Sequence, residues 1–167
     1  IGDIDGNGVL EIIVTTTFPD DKIYAWHADG TTVWGWPIQS VRGGFSSPAI
    51  ADIDPNYLGL EVVAVDGYTA YAWHADGTLV SGWPITVEGA GATSSPAIAD
   101  LDPNYSGIEV VVGTLDRKVY AWHANGTVVS GWPKTVGERV ESSPAIADID
   151  PNYLGLEVVV GSNDHNV

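Results

Sequence analysis

Ser46-Ser47-Pro48-Ala49-Ile50-Ala51-Asp52-Ile53-Asp54-Pro55-Asn56-Tyr57 returns as Ser94 to Tyr105 and again as Ser142 to Tyr153, 48 residues apart both times. A second block, Tyr-Ala-Trp-His-Ala-(Asp/Asn)-Gly-Thr, occurs at Tyr24 to Thr31, Tyr71 to Thr78 and Tyr120 to Thr127. A third, Gly-Trp-Pro, sits at Gly35 to Pro37, Gly82 to Pro84 and Gly131 to Pro133. Self-similarity at a fixed period of this length marks an array in which each repeat is one supersecondary unit.

One period reads as four short strands. The first runs roughly from Ser46 to Ala51 and leads into an acidic loop. The β-branched run Leu60 to Val65 is the second, and the aromatic run Thr69 to Ala75 is the third. The fourth extends from Thr78 towards Val87. Asp76-Gly77 between the last two predicts a two-residue hairpin turn with both residues at positive φ. Helical periodicity is absent. Four strands per 40–50 residues with recurrent aromatic residues is the arithmetic of an all-β propeller blade. A β-solenoid is the alternative, but its coils are typically about 20–30 residues long.

On this reading residues 1–44 are an incomplete first blade, 45–92 and 93–140 are whole blades, and 141–167 are an incomplete last blade. Ile1-Gly2-Asp3 aligns with Ile50-Ala51-Asp52, so most of one innermost strand is missing from the first blade. Rings need about 4–8 blades. The rest is expected from a longer chain or, as second choice, from self-assembly. The chain opens at Ile1 without an initiator Met, as a processed or truncated piece does.

Composition narrows the function classes. Cysteine is absent, which excludes a disulfide framework and a thiolate metal site. No run of 18 apolar residues occurs, so no membrane insertion is expected. Six basic against 22 acidic residues give a formal charge of −16, which repels nucleic acid and anionic lipid. Twelve of those 22 acids sit in four short loops. The loops are Asp3-Ile4-Asp5-Gly6-Asn7-Gly8-Val9-Leu10-Glu11 and the longer Asp52 to Glu61, Asp100 to Glu109 and Asp148 to Glu157. Carboxylates packed so closely repel one another unless protons or a cation intervene. Oxygen donors at alternate positions with a later carboxylate suit calcium, whereas magnesium demands stricter octahedral geometry and zinc prefers His or Cys.

Asp3-x-Asp5-Gly6-Asn7-Gly8-x-x-Glu11 resembles the Asp-x-Asp-Gly-Asp-Gly-x-x-Asp loop of FG-GAP repeats, the integrin-α-like propeller family. The resemblance covers the chain blade by blade and implies calcium as the cofactor. It implies Asp3, Asp5, Asn7 and Glu11 as side-chain ligands with the Val9 carbonyl. By position it extends to Asp52, Asp54, Asn56 and Glu61, to Asp100, Asp102, Asn104 and Glu109, and to Asp148, Asp150, Asn152 and Glu157. These three longer loops depart from the family pattern. Pro replaces the first Gly, Tyr replaces the second, and one residue is inserted before the Glu. Gly59, Gly107 and Gly155 are placed to absorb the altered turn. The competing reading of these loops is an Asx- and Pro-stabilised turn that needs no ion.

His27, His74 and His123 recur once per repeat, and ring symmetry would spread them apart, which favours a structural role. Trp26, Trp73 and Trp122, with Trp36, Trp83 and Trp132, are expected as packing between blades rather than as sugar-stacking platforms. Asn125-Gly126-Thr127 is a glycosylation acceptor sequence. The repeats differ mainly in two sets of loops expected on the face opposite the acidic ones. There Phe18, Asp20, Arg42, Phe45, Tyr68, Arg117, Arg139 and His165 are candidates for contacting a protein or glycan partner. The resulting expectation is a calcium-stabilised extracellular or cell-surface module for binding, adhesion or architecture. The alternative is part of a propeller enzyme such as a polysaccharide lyase or a quinone-dependent dehydrogenase, because function is grafted freely onto this architecture.

Overall fold

In the second, third and fourth units the Val-rich run that follows the acidic loop becomes the most deeply buried strand, whereas in the first unit the matching run, Ile12 to Thr15, buries only Ile13 fully. The computed structural model describes residues 1–40, 46–89, 91–152 and 154–164, and these contain thirteen strands and no helix. The first unit holds β1 (Ile12–Thr15), β2 (Lys22–Trp26) and β3 (Ile38–Gln39). The second holds β4 (Ala49–Ala51), β5 (Glu61–Asp66), β6 (Thr69–Trp73) and β7 (Ile85–Thr86). The third holds β8 (Ala97–Ala99), β9 (Glu109–Gly113), β10 (Lys118–His123) and β11 (Lys134–Thr135). The fourth is the pair β12 (Ala145–Ala147) and β13 (Glu157–Val159).

Each unit is an antiparallel meander whose spatial order follows the sequence. The register repeats with the sequence: Ile50 opposes Val62, Ile98 opposes Val110, and Ile146 opposes Val158. In place of a first strand, the first unit has an isolated bridge between Gly2 and Glu11. The first strands of successive units adjoin, since β8 touches both β4 and β12.

The core lies between units rather than within them. Alternate residues of a strand face opposite sides of its sheet. Val62 and Ala64 accordingly pack with Ile13, Ile23 and Ala25 of the first unit, while Val63 and Val65 pack with Val110 and Val112 of the third. Burial on both faces accounts for the unbroken apolar run of β5, which would otherwise alternate with polar residues. The Gly-Trp-Pro block joins each unit to the next. Trp36 Nε1 donates to the Ala75 carbonyl at 2.7 Å and Trp83 Nε1 to that of Ala124 at 2.8 Å. Their rings meet Trp73 and Trp122 edge-on at 6.2 and 6.5 Å.

Two local expectations are corrected. The fourth strand does not run from Thr78 to Val87; it is a bridge from Leu79 to Trp73 and then only Ile85–Thr86. Gly82 at φ 89° turns the chain between them, and Pro84 has no amide to pair. Nor is Asp76-Gly77 a two-residue turn. Gly77 N donates to the His74 carbonyl and His74 N to that of Thr78, which closes a three-residue loop over Ala75, Asp76 and Gly77. Only Gly77 has positive φ, because Asp76 instead accepts from the amide and hydroxyl of Thr78.

Gly82 is also a point of close approach. A Cβ added there would lie 2.0 Å from the Asn125 carbonyl oxygen of the next unit. Gly82→Ala therefore lowers stability by about 2 kcal/mol or more, from unfavourable φ together with separation of the units. Urea unfolding measures this, and a variant as stable as the parent would contradict the packing.

Candidate metal centre

Each acidic loop is tied to the strand behind it by the Glu that ends it. Glu61 Oε2 accepts from the amides of Ile53 and Asp54 at 2.7 and 3.0 Å. Glu109 does the same for Leu101 and Asp102, and Glu157 for Ile149 and Asp150. In the shorter first loop Glu11 Oε2 takes one amide, that of Ile4, at 3.0 Å. Glu11, Glu61 and Glu109 are buried, and the second oxygen of each faces an imidazole. His27, His74 and His123 place Nδ1 at 3.3, 3.2 and 3.0 Å from it. The recurrent histidines thus pair within their own unit, across adjacent strands; His123 stands directly opposite Glu109.

The Tyr that distinguishes the longer loops covers this pair. Tyr57 stacks on His74 with ring centroids 3.8 Å apart, and Tyr105 stacks on His123 at the same distance. Tyr57 also donates its hydroxyl to Asp76 at 2.8 Å, which pushes the phenol pKa up. The Asp76 carboxyl is held below the usual range, chiefly by the Thr78 hydroxyl. Tyr153 lies outside the described residues. Gly59, Gly107 and Gly155 stand at φ 96°, 130° and 114° and carry the turn that the inserted residue requires.

The donors are distributed differently in the two loop types. In the first loop the Asn7 amide donates to both Asp3 and Asp5, at 3.0 and 3.1 Å, and the Gly8 amide donates to the other Asp3 oxygen. Asn7 Oδ1 accepts from the Val9 amide, and its side-chain nitrogen donates to Asp5. Asp3, Asp5 and Asn7 therefore converge on a few exposed atoms, while Glu11 turns inward. In the longer loops Asp54, Asp102 and Asp150 each accept from the backbone and side chain of the following Asn56, Asn104 or Asn152. The Asn152 amide is the main cause holding the Asp150 carboxyl low. Asp52, Asp100 and Asp148 are exposed and accept no hydrogen bond among the described residues. The Glu is engaged in the loops around Tyr57 and Tyr105 as it is in the first loop, and Asp52, Asp54 and Asn56 line one common cleft.

Two clefts open beside these loops, at equivalent places between units. One, of about 190 Å³, is lined by Asp5, His27, Val33, Trp34, Ala75 and Asp76. The other, of about 480 Å³, has Asp54, Val80, Ser81, Ala124 and Asn125 at the matching positions. Trp34 stands where the other repeats have Ser81 and Ser130, and it is 78% exposed. Repeat comparison alone singles it out, although the sequence reading assigned it no role.

The two sets of variable loops come together as a group of their own. Tyr68 accepts from the Val87 amide through its carbonyl, Leu115 N donates to Gly91, and Glu138 N donates to Ser162 Oγ. Arg117 pairs with Glu138 at 3.4 Å, and Lys22 pairs with Asp20 at 3.0 Å. Phe18, Tyr68 and Arg139 are exposed. Arg42, Phe45 and His165 lie outside the described residues.

No family model matches the chain, and no curated protein matches it. Its fold is similar to that of solved designed proteins. The computationally designed Ika4 protein aligns at TM-score 0.58 with 17% identity, covering 98% of this chain and 91% of that one. The computationally designed Ika8 protein aligns at TM-score 0.57 with 19% identity, covering 92% of this chain and 41% of that one.

Proposed function

We propose that the chain is a segment of a calcium-binding β-propeller of the FG-GAP, integrin-α-like kind, acting outside the cell or at its surface as a binding or architectural module. The observation that supports it best is the stacking of consecutive four-stranded meanders, each giving alternate side chains to its two neighbours while their first strands adjoin. A radial array of blades requires that arrangement.

Calcium belongs to the first loop, on Asp3, Asp5 and Asn7 with the Val9 carbonyl. The chemistry fits, because hard oxygen donors converge at an exposed turn where Gly8 leaves room that Tyr57 and Tyr105 fill elsewhere. In the loops around Tyr57 and Tyr105 the Glu–His pair under its Tyr holds the turn. The face that carries Phe18, Tyr68, Arg117 and Arg139 receives a protein or glycan partner, which a glycan array tests directly.

An ion bound only by the native state stabilises it by about 2.7 kcal/mol at a hundredfold excess over Kd. Added calcium raises the melting temperature over that in chelator, and Asp3→Ala abolishes most of the rise. An unchanged melting temperature refutes the calcium reading.

A further inference from the structure

We propose that Asp5, Glu11 and His27 form a second kind of cation site, for a divalent transition metal of the zinc class. It is independent of the calcium reading except that the two ions would share Asp5.

Three donors from three parts of the first unit meet there. His27 Nδ1 lies 3.3 Å from Glu11 Oε1 and 3.9 Å from Asp5 Oδ2, and one donor atom of each residue lies within 4.8 Å of the others. Zinc binds imidazole nitrogen and carboxylate oxygen at about 2.0–2.2 Å, so neighbouring ligands on a tetrahedral ion are about 3.4 Å apart. The Glu11–His27 edge already has that length, the Asp5–His27 edge exceeds it by about 0.5 Å, and the Asp5–Glu11 edge is within 4.8 Å. Glu11 is also oriented for the task. The Ile4 amide fixes Oε2 and leaves Oε1 to face His27, as an outer-shell partner fixes a metal-bound carboxylate.

The second and third units serve as internal controls. They keep the Glu–His pair at nearly the same distance, so the pair alone does not define a metal site. Two further features separate the first unit. Asp54 approaches the other imidazole nitrogen, Nε2, at 4.0 Å, so in the second unit the two carboxylates do not face one nitrogen. The stacked Tyr rings leave the His74 and His123 side chains 7% and 8% exposed, against 31% for His27. Among the described residues no ring stacks on His27, and Gly8 stands at the Tyr position. Among the described residues only this unit gathers three such donors.

The site has access and room. Asp5 and His27 line the 190 Å³ cleft whose far side is Ala75 and Asp76, with Trp34 as a wall. Three protein ligands leave a coordination position open to water or a small ligand in that cleft. An imidazole among the donors selects zinc, cobalt, nickel or copper over calcium, which seeks six to eight oxygens.

Calorimetric titration of zinc into the untagged, calcium-free chain tests the site. One equivalent is expected to bind. His27→Ala should weaken binding at least about tenfold while His74→Ala, whose ring is covered, leaves it within about twofold. Cobalt supplies the second readout, a visible spectrum typical of mixed nitrogen and oxygen ligation that disappears in His27→Ala. Circular dichroism establishes that both variants are folded. Zinc binding that His27→Ala leaves intact, or no zinc binding at all, overturns the proposal. Loss of the calcium-dependent melting shift with zinc binding retained would refute the calcium reading alone.

Discussion

Trp83→Ala is expected to destabilise the chain by about 3–5 kcal/mol, the range for removing a buried large aromatic side chain. Trp83 is 6% exposed and packs in the cluster that joins the second unit to the third. Its ring meets Trp122 edge-on, and its indole nitrogen donates across the boundary to the Ala124 carbonyl. Truncation removes apolar burial, an aromatic contact and an inter-unit hydrogen bond together. Trp83→Phe separates these contributions, because it keeps much of the packing and loses the donor. A loss of about 1–2 kcal/mol is expected there. Trp34→Ala is the surface counterpart and should fall within about 0.5 kcal/mol of the parent. Urea unfolding of the three variants compares them. Equal losses for Trp34→Ala and Trp83→Ala would mean that the Gly-Trp-Pro block does not join the units.

Much of this was legible from the repeat. A 48-residue period with four apolar runs required units alike in strand order and register, and the observed pairings shift from unit to unit with the sequence. The ring-to-ring packing of Trp36, Trp83, Trp73 and Trp122 followed from the same regularity. Local geometry decided by side-chain capping was less legible. Asp76-Gly77 reads as a two-residue turn on backbone preference, yet the carboxylate bonds to Thr78 select the longer loop. The role of the recurrent histidines was hidden for another reason. Residues repeated once per unit are expected to stand apart from one another, but the repetition does not forbid a pair within each unit. Such a pair needs the third strand to run back beside the end of the acidic loop, and only the register between β9 and β10 displays it. The contrast between Gly8 and Tyr57 was visible in the sequence as a change of turn. Its effect on imidazole exposure depends on where the ring folds, which spacing does not specify.

Glu109→Ala is expected to cost as much as loss of the tryptophan, although it removes fewer atoms. Glu109 is fully buried and serves three donors at once: the amides of Leu101 and Asp102 and the ring nitrogen of His123. Each donor left without an acceptor costs about 1–3 kcal/mol, so the three together cost about 3 kcal/mol or more. The damage should concentrate in the loop from Asp100 to Glu109, whose inward amides would have no other acceptor in place. Glu109→Gln keeps an oxygen for the amides but no longer offers a carboxylate to His123, and its expected loss is about half as large. A double-mutant cycle with His123→Ala isolates the pair. Coupling above about 0.5 kcal/mol is the signature of residues acting in one network. Hydrogen exchange at Leu101 and Asp102 supplies the local readout, with protection lost in Glu109→Ala and retained in Glu109→Gln. If the two variants are equally stable and Leu101 stays protected in both, the Glu does not hold the loop. The turn would then stand on its Asx and Pro residues alone.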